Sequence, residues 1–337
     1  MSPDATPATP AIEATGLTVR FRRRGEPEIC AVNGVGFALA RGQVMTILGE
    51  SGSGKSVSLK AVMGLLPPFA KVEGQVRIGG RDVLSLPPAE LAKLRGGQVS
   101  MIFQEPMAAM DPVYTIGDQI AETIVQHEGT DRATAMARAK RLLDRVAIPS
   151  AARRLKNYPH EMSGGMRQRA MIALALACSP SVLLADEPTT ALDVTVQIQI
   201  LMLLRELQSE LGMAVVFVTH DVGVAAEISD RIAVMYAGRF VEAGTVREVM
   251  RTPQHPYTRG LLASTVHGGM RRQELRTIPG NPPSLAALPA GCHFRPRCPE
   301  AVSRCMEEPP VVSPRPGAMV RCVHAERAAR AADAVPA

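Results

Sequence analysis

Short alternating apolar and polar stretches mark the start of the chain. "LTVRF", "VGFAL" and "QVMTIL", between Glu13 and Leu48, predict strands. "GQVRIGGRDV" predicts a further strand pair turning at Gly79-Gly80. From 116 to 146 the period changes. Ile116, Ile120 and Ile124 recur at helical spacing, which predicts a helical stretch. Two continuous apolar runs follow, "SVLLAD" and "MAVVFVTH", with a helical pattern at 194–211 between them. Runs of this kind suit parallel strands buried on both faces, and the βαβ rhythm predicts an α/β domain. Beyond about residue 252 prolines thicken and periodicity fades, so a domain boundary is placed near 258. Residues 1–11, rich in Pro, Ala and Thr, read as a disordered tail.

Composition changes this picture little. The 337 residues suit one large domain with an extension. Charged residues at 21% and hydrophobic ones at 46% are ordinary for a globular protein. "MSPDATPATP" has neither a basic start nor an apolar stretch, so no signal peptide is expected. The longest apolar run, Ala170 to Ala185, is interrupted by Ser179 and Pro180, so no membrane span is expected and a cytoplasmic setting is. The net charge of +6 comes from scattered arginines with local runs at Arg22–Arg24 and Arg271–Arg272. With 3% aromatic residues there is little to stack on bases, so no nucleic-acid partner is expected.

The chemistry begins at "GESGSGKS", residues 49–56, which follows the strand "VMTIL" and opens a helical pattern. Gly49, Gly52 and Gly54 let the backbone curl, with Glu50, Ser51 and Ser53, so that its N–H groups converge on phosphate oxygens. The helix that follows aims its positive end at the same anion. Lys55 can reach terminal phosphates, and the Ser56 hydroxyl can hold Mg²⁺. "SVLLADE" then ends a buried strand in two acids. Asp186 is placed to hold Mg²⁺. Glu187, one residue on, points elsewhere and suits a base for an attacking water.

Other segments resemble those of ATP-binding cassette (ABC) proteins, in the family's order across about residues 12–250. "MSGGMRQRAMIALAL" at 162–176 resembles the signature segment, with Met162 and Met166 departing from its commonest form. "MIFQEP" resembles the Q-loop, which implies that Gln104 helps hold Mg²⁺ and completes the catalytic set. "VFVTHD" supplies His220 like the family's switch histidine, and "TALD" resembles the D-loop, which places Asp193 among the nucleotide-binding residues. Phe21 stands where the family has an aromatic that stacks on adenine. The resemblance implies an α/β fold: an ABC-type nucleotide-binding domain at 12–258, comprising a phosphate-loop core sheet, an antiparallel β subdomain and a helical subdomain at about 105–165. A Pro/Cys-rich extension at 259–337 would follow. It also implies a head-to-tail pair of ATPase chains, in which Ser163, Gly164 and Gly165 face the partner's ATP. Their helix start is a second anion site in its own right.

The remainder resembles the C-terminal extension of oligopeptide/dipeptide permease ATPase subunits: "TPQHPYTRGLLAS" at 252–264, then "IPGNPPSLAALPAGCHFRPRCPEAVSRC". Such subunits hydrolyse ATP at the cytoplasmic face of the inner membrane. They work beside a second homologous ATPase, two transmembrane permeases and an extracytoplasmic binding protein. Nickel or another small solute competes with peptide as the cargo. A non-transport ABC ATPase, or a metal-stapled binding module without hydrolysis, stays open. The permease contact is expected around 105–120, where Pro106 and Pro112 fix the loop and exposed Met side chains give an adaptable surface.

Cys292, Cys298, Cys305 and Cys322 follow C-x5-C-x6-C-x16-C, which fits neither the close pairs of zinc sites nor the ferredoxin runs. The resemblance implies that they ligate a [4Fe–4S] cluster. Zn²⁺ and unmetallated thiols are the alternatives. His293 and His324 adjoin ligand positions and read as supporting or incidental, while Cys30 and Cys178 read as core.

Overall fold

The computed structural model describes residues 9–264 and 277–325. Residues 1–8 of the expected tail, the Arg271–Arg272 run and the end of the extension lie outside these.

Two sheets organise the chain. Strands β1 (Ile12–Phe21), β2 (Ile29–Leu39), β4 (Ala70–Ile78) and β5 (Arg81–Asp82) form an antiparallel sheet in the order β2-β1-β4-β5. The larger sheet takes β3 (Val44–Leu48), β6 (Val99–Ile102), β7 (Val182–Asp186), β8 (Ala214–Thr219), β9 (Arg231–Tyr236), β10 (Arg239–Thr245), β11 (Val311–Val312) and β12 (Met319–Arg321). Its order is β11-β12-β10-β9-β3-β8-β7-β6.

The continuous apolar runs become β7 and β8, parallel and buried along their whole length. Every backbone group of such strands finds a partner in the ladder, so unbroken Val, Leu and Ala cost nothing in exposed surface. Leu48 pairs with Thr219, and Asp186 with Val218. The carboxyl ends of β3, β7 and β8 therefore finish at one level. Ligands of open α/β sheets bind at that edge.

The helical stretch at 116–146 is two helices, Ile116–Glu128 and Arg132–Arg145. Gly129 ends the first in the left-handed region, at φ 66°. Asp131 then caps the second by accepting from the Thr134 N–H at 3.0 Å. Ile116, Ile120 and Ile124 are buried against Ala139, Leu143 and the helix Gly164–Ala175. The loop before them differs from expectation at one methionine. Met107, Val113 and Tyr114 are exposed, but Met110 is buried.

The extension has no separate core. The boundary near 258 falls inside the helix Pro256–Ala263. Tyr257 and Phe294 pack on Tyr236 of β9, with ring centroids 4.5 and 5.2 Å away. β12 pairs with β10, bringing Val320 opposite Glu242. Cys30 and Cys178, read as core, are only half-buried.

Candidate active site

The loop after β3 curls tightly because side chains cannot fit there. A Cβ on Gly49 would lie 2.2 Å from the Met235 carbonyl oxygen, and one on Gly54 2.3 Å from that of Ala31. Gly54 also has φ 105° and opens the helix Lys55–Val62 without any side-chain cap. The start of that helix is thus left for a ligand. Lys55 lies buried along the loop, its Nζ donating to the carbonyls of Gly49 at 2.8 Å and Glu50 at 2.9 Å. Burial lowers its pKa, opposed by Glu187, Asp186 and Glu50. The buried Ser53 hydroxyl, inside the same loop, has no hydrogen-bond partner.

A cavity of about 850 Å³ opens over this loop. It is lined by Gly49, Glu50, Ser51, Gly52, Gly54, Lys55 and Ser56, and also by Phe21, Gln104, Glu187 and His220. Ser56 Oγ donates to Asp186 Oδ1 at 2.7 Å, so the two groups expected around Mg²⁺ already touch. Burial raises the Asp186 pKa, partly offset by that hydrogen bond. The donor set, a hydroxyl and a carboxylate beside a phosphate loop, suits Mg²⁺.

Glu187 leaves the strand in a left-handed conformation, φ 45°, costly for a residue with a Cβ. This turns its side chain toward the cavity. Its carboxylate lies 3.4 Å from His220 Nδ1 and accepts from Gln104 Nε2 at 3.4 Å and from Thr190 Oγ1 at 2.9 Å. Two residues distant in the chain, Gln104 and His220, thus meet a near neighbour, Thr190, on one acid. Sequence reasoning missed Thr190, whose hydroxyl stands three positions after Glu187. Phe21 lies tilted against Phe69, 6.0 Å between centroids.

Ser163, Gly164, Gly165 and Asp193 do not line this cavity. Ser163 Oγ accepts from the Met166 N–H at 3.4 Å and caps its own helix. Asp193 does the same for Val194–Leu211, accepting from the Val196 N–H at 3.0 Å. Their helix starts pack together, since a Cβ on Gly165 would come within 3.0 Å of Val196.

Cys292, Cys298, Cys305 and Cys322 line one pocket together with His255, Phe294 and His324, and no disulfide joins them. Burial raises the Cys292 and Cys322 thiols and pushes Cys298 up to about 11. Among the described residues no group of three or more His, Cys, Asp or Glu side chains is placed to hold a metal ion. His324 Nε2 is 2.8 Å from the Glu300 carbonyl oxygen, and His293 Nδ1 is 2.9 Å from that of Ala237. The pattern also hid His255. Burial pushes its imidazole down to about 3, and its neutral Nδ1 accepts from the Tyr257 N–H at 3.1 Å to cap Pro256–Ala263.

The extension also reaches the loop after β3, which the sequence pattern does not reveal. Leu261 and Leu285 line the large cavity. Arg297 pairs with the Glu50 carboxylate, and the Glu50 N–H, expected to face phosphate, donates to Tyr257 Oη at 3.1 Å instead.

The pattern of the family described as "ABC transporter" matches residues 32–190, and that described as "Oligopeptide/dipeptide transporter, C-terminal region" matches 241–305. The chain is 48% identical to the oligopeptide transport ATP-binding protein OppD of Salmonella typhimurium, covering 94% of each. It is 46% identical to the dipeptide transport ATP-binding protein DppD of Bacillus subtilis, covering 87% of this chain and 88% of that one. Among solved structures, the ATP-binding cassette MJ0796, a post-hydrolysis dimer bound to ADP and Pi, matches with a TM-score of 0.63 at 31% identity. That match covers 70% of this chain and 99% of MJ0796.

Proposed function

The chain belongs to the family of ABC transporter ATP-binding subunits of the oligopeptide/dipeptide type, and we propose that its loop cavity is one of two composite ATP sites driving peptide import. It is an ATP-hydrolysing subunit of a peptide importer. The observation that carries the site reading is the Glu187 carboxylate, held by Gln104, Thr190 and His220 at the rim of the phosphate loop.

In this reading the loop amides and Lys55 take the phosphates of ATP, and Phe21 stacks on adenine. Ser56, Asp186 and Gln104 would hold Mg²⁺, which would supply charge neutralisation at the phosphates. Glu187 orients a water and accepts its proton as the water oxygen attacks the terminal phosphorus; the bond from that phosphorus to the bridging oxygen breaks, releasing ADP and phosphate. Gln104 and His220 keep Glu187 aimed. Ser163, Gly164, Gly165 and Asp193, turned away from their own cavity, meet the nucleotide of a second, homologous ATPase. Closure around ATP and release after hydrolysis form a ligand-driven population shift.

Separate permease chains carry the membrane path. No helix among the described residues is long and apolar enough to cross a membrane. Met107, Val113 and Tyr114, exposed at the start of the helical subdomain, suit a docking patch for two permeases at the cytoplasmic face of the inner membrane. An extracytoplasmic binding protein delivers the cargo. The test is ATP hydrolysis by the reconstituted complex. Peptide-loaded binding protein should stimulate it. Stimulation by nickel and not by peptide would overturn the cargo.

We also read the four-thiol pocket as the seat of a [4Fe–4S] cluster that staples the extension. What supports this is the convergence of four unpaired thiols on one pocket. Cys292, Cys298, Cys305 and Cys322 would be the cluster's ligands, with Zn²⁺ as the alternative. Bound metal would also hold as thiolates groups that burial otherwise keeps protonated. Anaerobically purified protein should be brown and contain iron; a colourless protein with stoichiometric zinc refutes the cluster.

A further inference from the structure

An acid is a poor neighbour for a triphosphate, yet Glu50 is the second residue of the phosphate loop. Its charge is answered from the far end of the chain. Arg297 Nη1 and Nη2 lie 2.8 and 3.2 Å from the two carboxylate oxygens, a forked pair. The Arg297 side chain is 6% exposed and that of Glu50 25%. The guanidinium is itself fixed. Its Nε donates to the Pro279 carbonyl at 2.9 Å, its Nη1 reaches Tyr236 Oη at 3.4 Å, and its carbon sits 5.8 Å from the Tyr236 ring centroid.

Glu50 is held at two further points. Its N–H donates to Tyr257 Oη, and its carbonyl accepts from Lys55 Nζ. One loop residue thus connects Arg297, Tyr257 and the lysine offered to the phosphates. We propose that Arg297 is a positioning residue for nucleotide binding. It neutralises the Glu50 carboxylate and fixes its place at the cavity wall, which makes the extension part of the ATP site. This rests on the reading of the cavity as the nucleotide site. The role is electrostatic, because the Tyr236, Tyr257 and Phe294 cluster already supplies the packing between extension and cassette.

The test is a mutant cycle in the full-length chain, read by a fluorescent ATP analogue, by KM and kcat for ATP, and by thermal melting. Arg297→Met should weaken nucleotide affinity and raise KM on the order of tenfold, with kcat at saturating ATP changed less than about threefold, because a carboxylate is left unpaired beside the anion. Adding Glu50→Gln to Arg297→Met removes the unpaired charge, so the double variant should regain most of the affinity that Arg297→Met loses. Unchanged affinity in Arg297→Met overturns the proposal. So does a double variant as weak as Arg297→Met, since packing and not charge would then be at fault. If Arg297→Met does not fold, the double variant decides alone: wild-type-like binding supports the pair's role, and poor binding in a folded double variant overturns it. A wild-type chain that bound no nucleotide would instead refute the functional reading.

Discussion

Two helices in this molecule begin in glycine-rich turns, and they begin differently. Lys55–Val62 starts at Gly54 with φ 105°, no side-chain cap, and backbone carbonyls so close that a Cβ has no room. Gly164–Ala175 starts at Ser163, in extended backbone, with the serine hydroxyl satisfying the Met166 N–H. The first start faces a walled cavity with a buried lysine and an unpartnered buried hydroxyl. The second is exposed, already capped, and does not line that cavity. In the proposed reading, the first takes phosphate offered within the chain, and the second takes the phosphate of a partner's nucleotide. The same backbone device would thus serve two sites of different dependence, with the proposed second ATPase separating them.

The sharpest probe of the complete site is Glu187→Gln. Loss of the base should cut hydrolysis by at least about a hundredfold while nucleotide still binds. Steady-state turnover that persisted would show that the proton goes elsewhere. Next in size, Lys55→Ala removes a charge-assisted contact of about 1.5–3 kcal/mol, so nucleotide affinity should fall roughly ten- to hundredfold in the isolated chain. Gly164→Asp is the contrasting change at the second start. The nearest atom to a Cβ there is Leu192 Cδ2 at 4.0 Å, so the fold should tolerate it. The added acid would repel a partner's phosphate. Hydrolysis by the paired complex should drop about tenfold, while affinity in the isolated chain stays within about twofold. If Lys55→Ala and Gly164→Asp weakened single-chain binding alike, the distinction between the two helix starts would be gone.

The smallest effect is a pH dependence. Burial raises the pKa of Asp186, whereas the turn 163–165 has no ionisable side chain. The folded state holds that proton more tightly than the unfolded chain does. In the metal-free protein this stabilisation is present below the unfolded carboxylate value, about 3.9, and is lost as pH rises through the raised folded value. Mg²⁺ needs the carboxylate, so its apparent affinity should rise with pH across the same window. Mg²⁺ titrations at descending pH check this. Affinity flat through the carboxylate range would remove Asp186 from the metal site.

Much of the complete site was legible in the chain because its physics is local. A strand end, a glycine-rich curl and a helix start are consecutive residues, and "SVLLADE" gives a buried strand and its two acids together. The break in the helical subdomain was also written locally, in Gly129 and Asp131, but the recurrence of isoleucines masked it. What stayed hidden depends on chain reversal. Glu50 and Arg297 are 247 residues apart, and neither sits in a periodic pattern that would announce a partner. The spacing of the four cysteines says nothing of their common pocket, because turns at 295–297 and 303–306 fold them together.

The two short strands after residue 310 have a further consequence. β12 occupies the outer side of β10, where Glu242 and Ala243 meet Val320 and Met319. Cutting the protein before Val311 would bare a row of unsaturated amides and carbonyls on an otherwise finished ladder, an invitation for a foreign chain to add itself there. A shortened cassette should therefore clump at concentrations the intact protein tolerates, even where its catalytic machinery is whole.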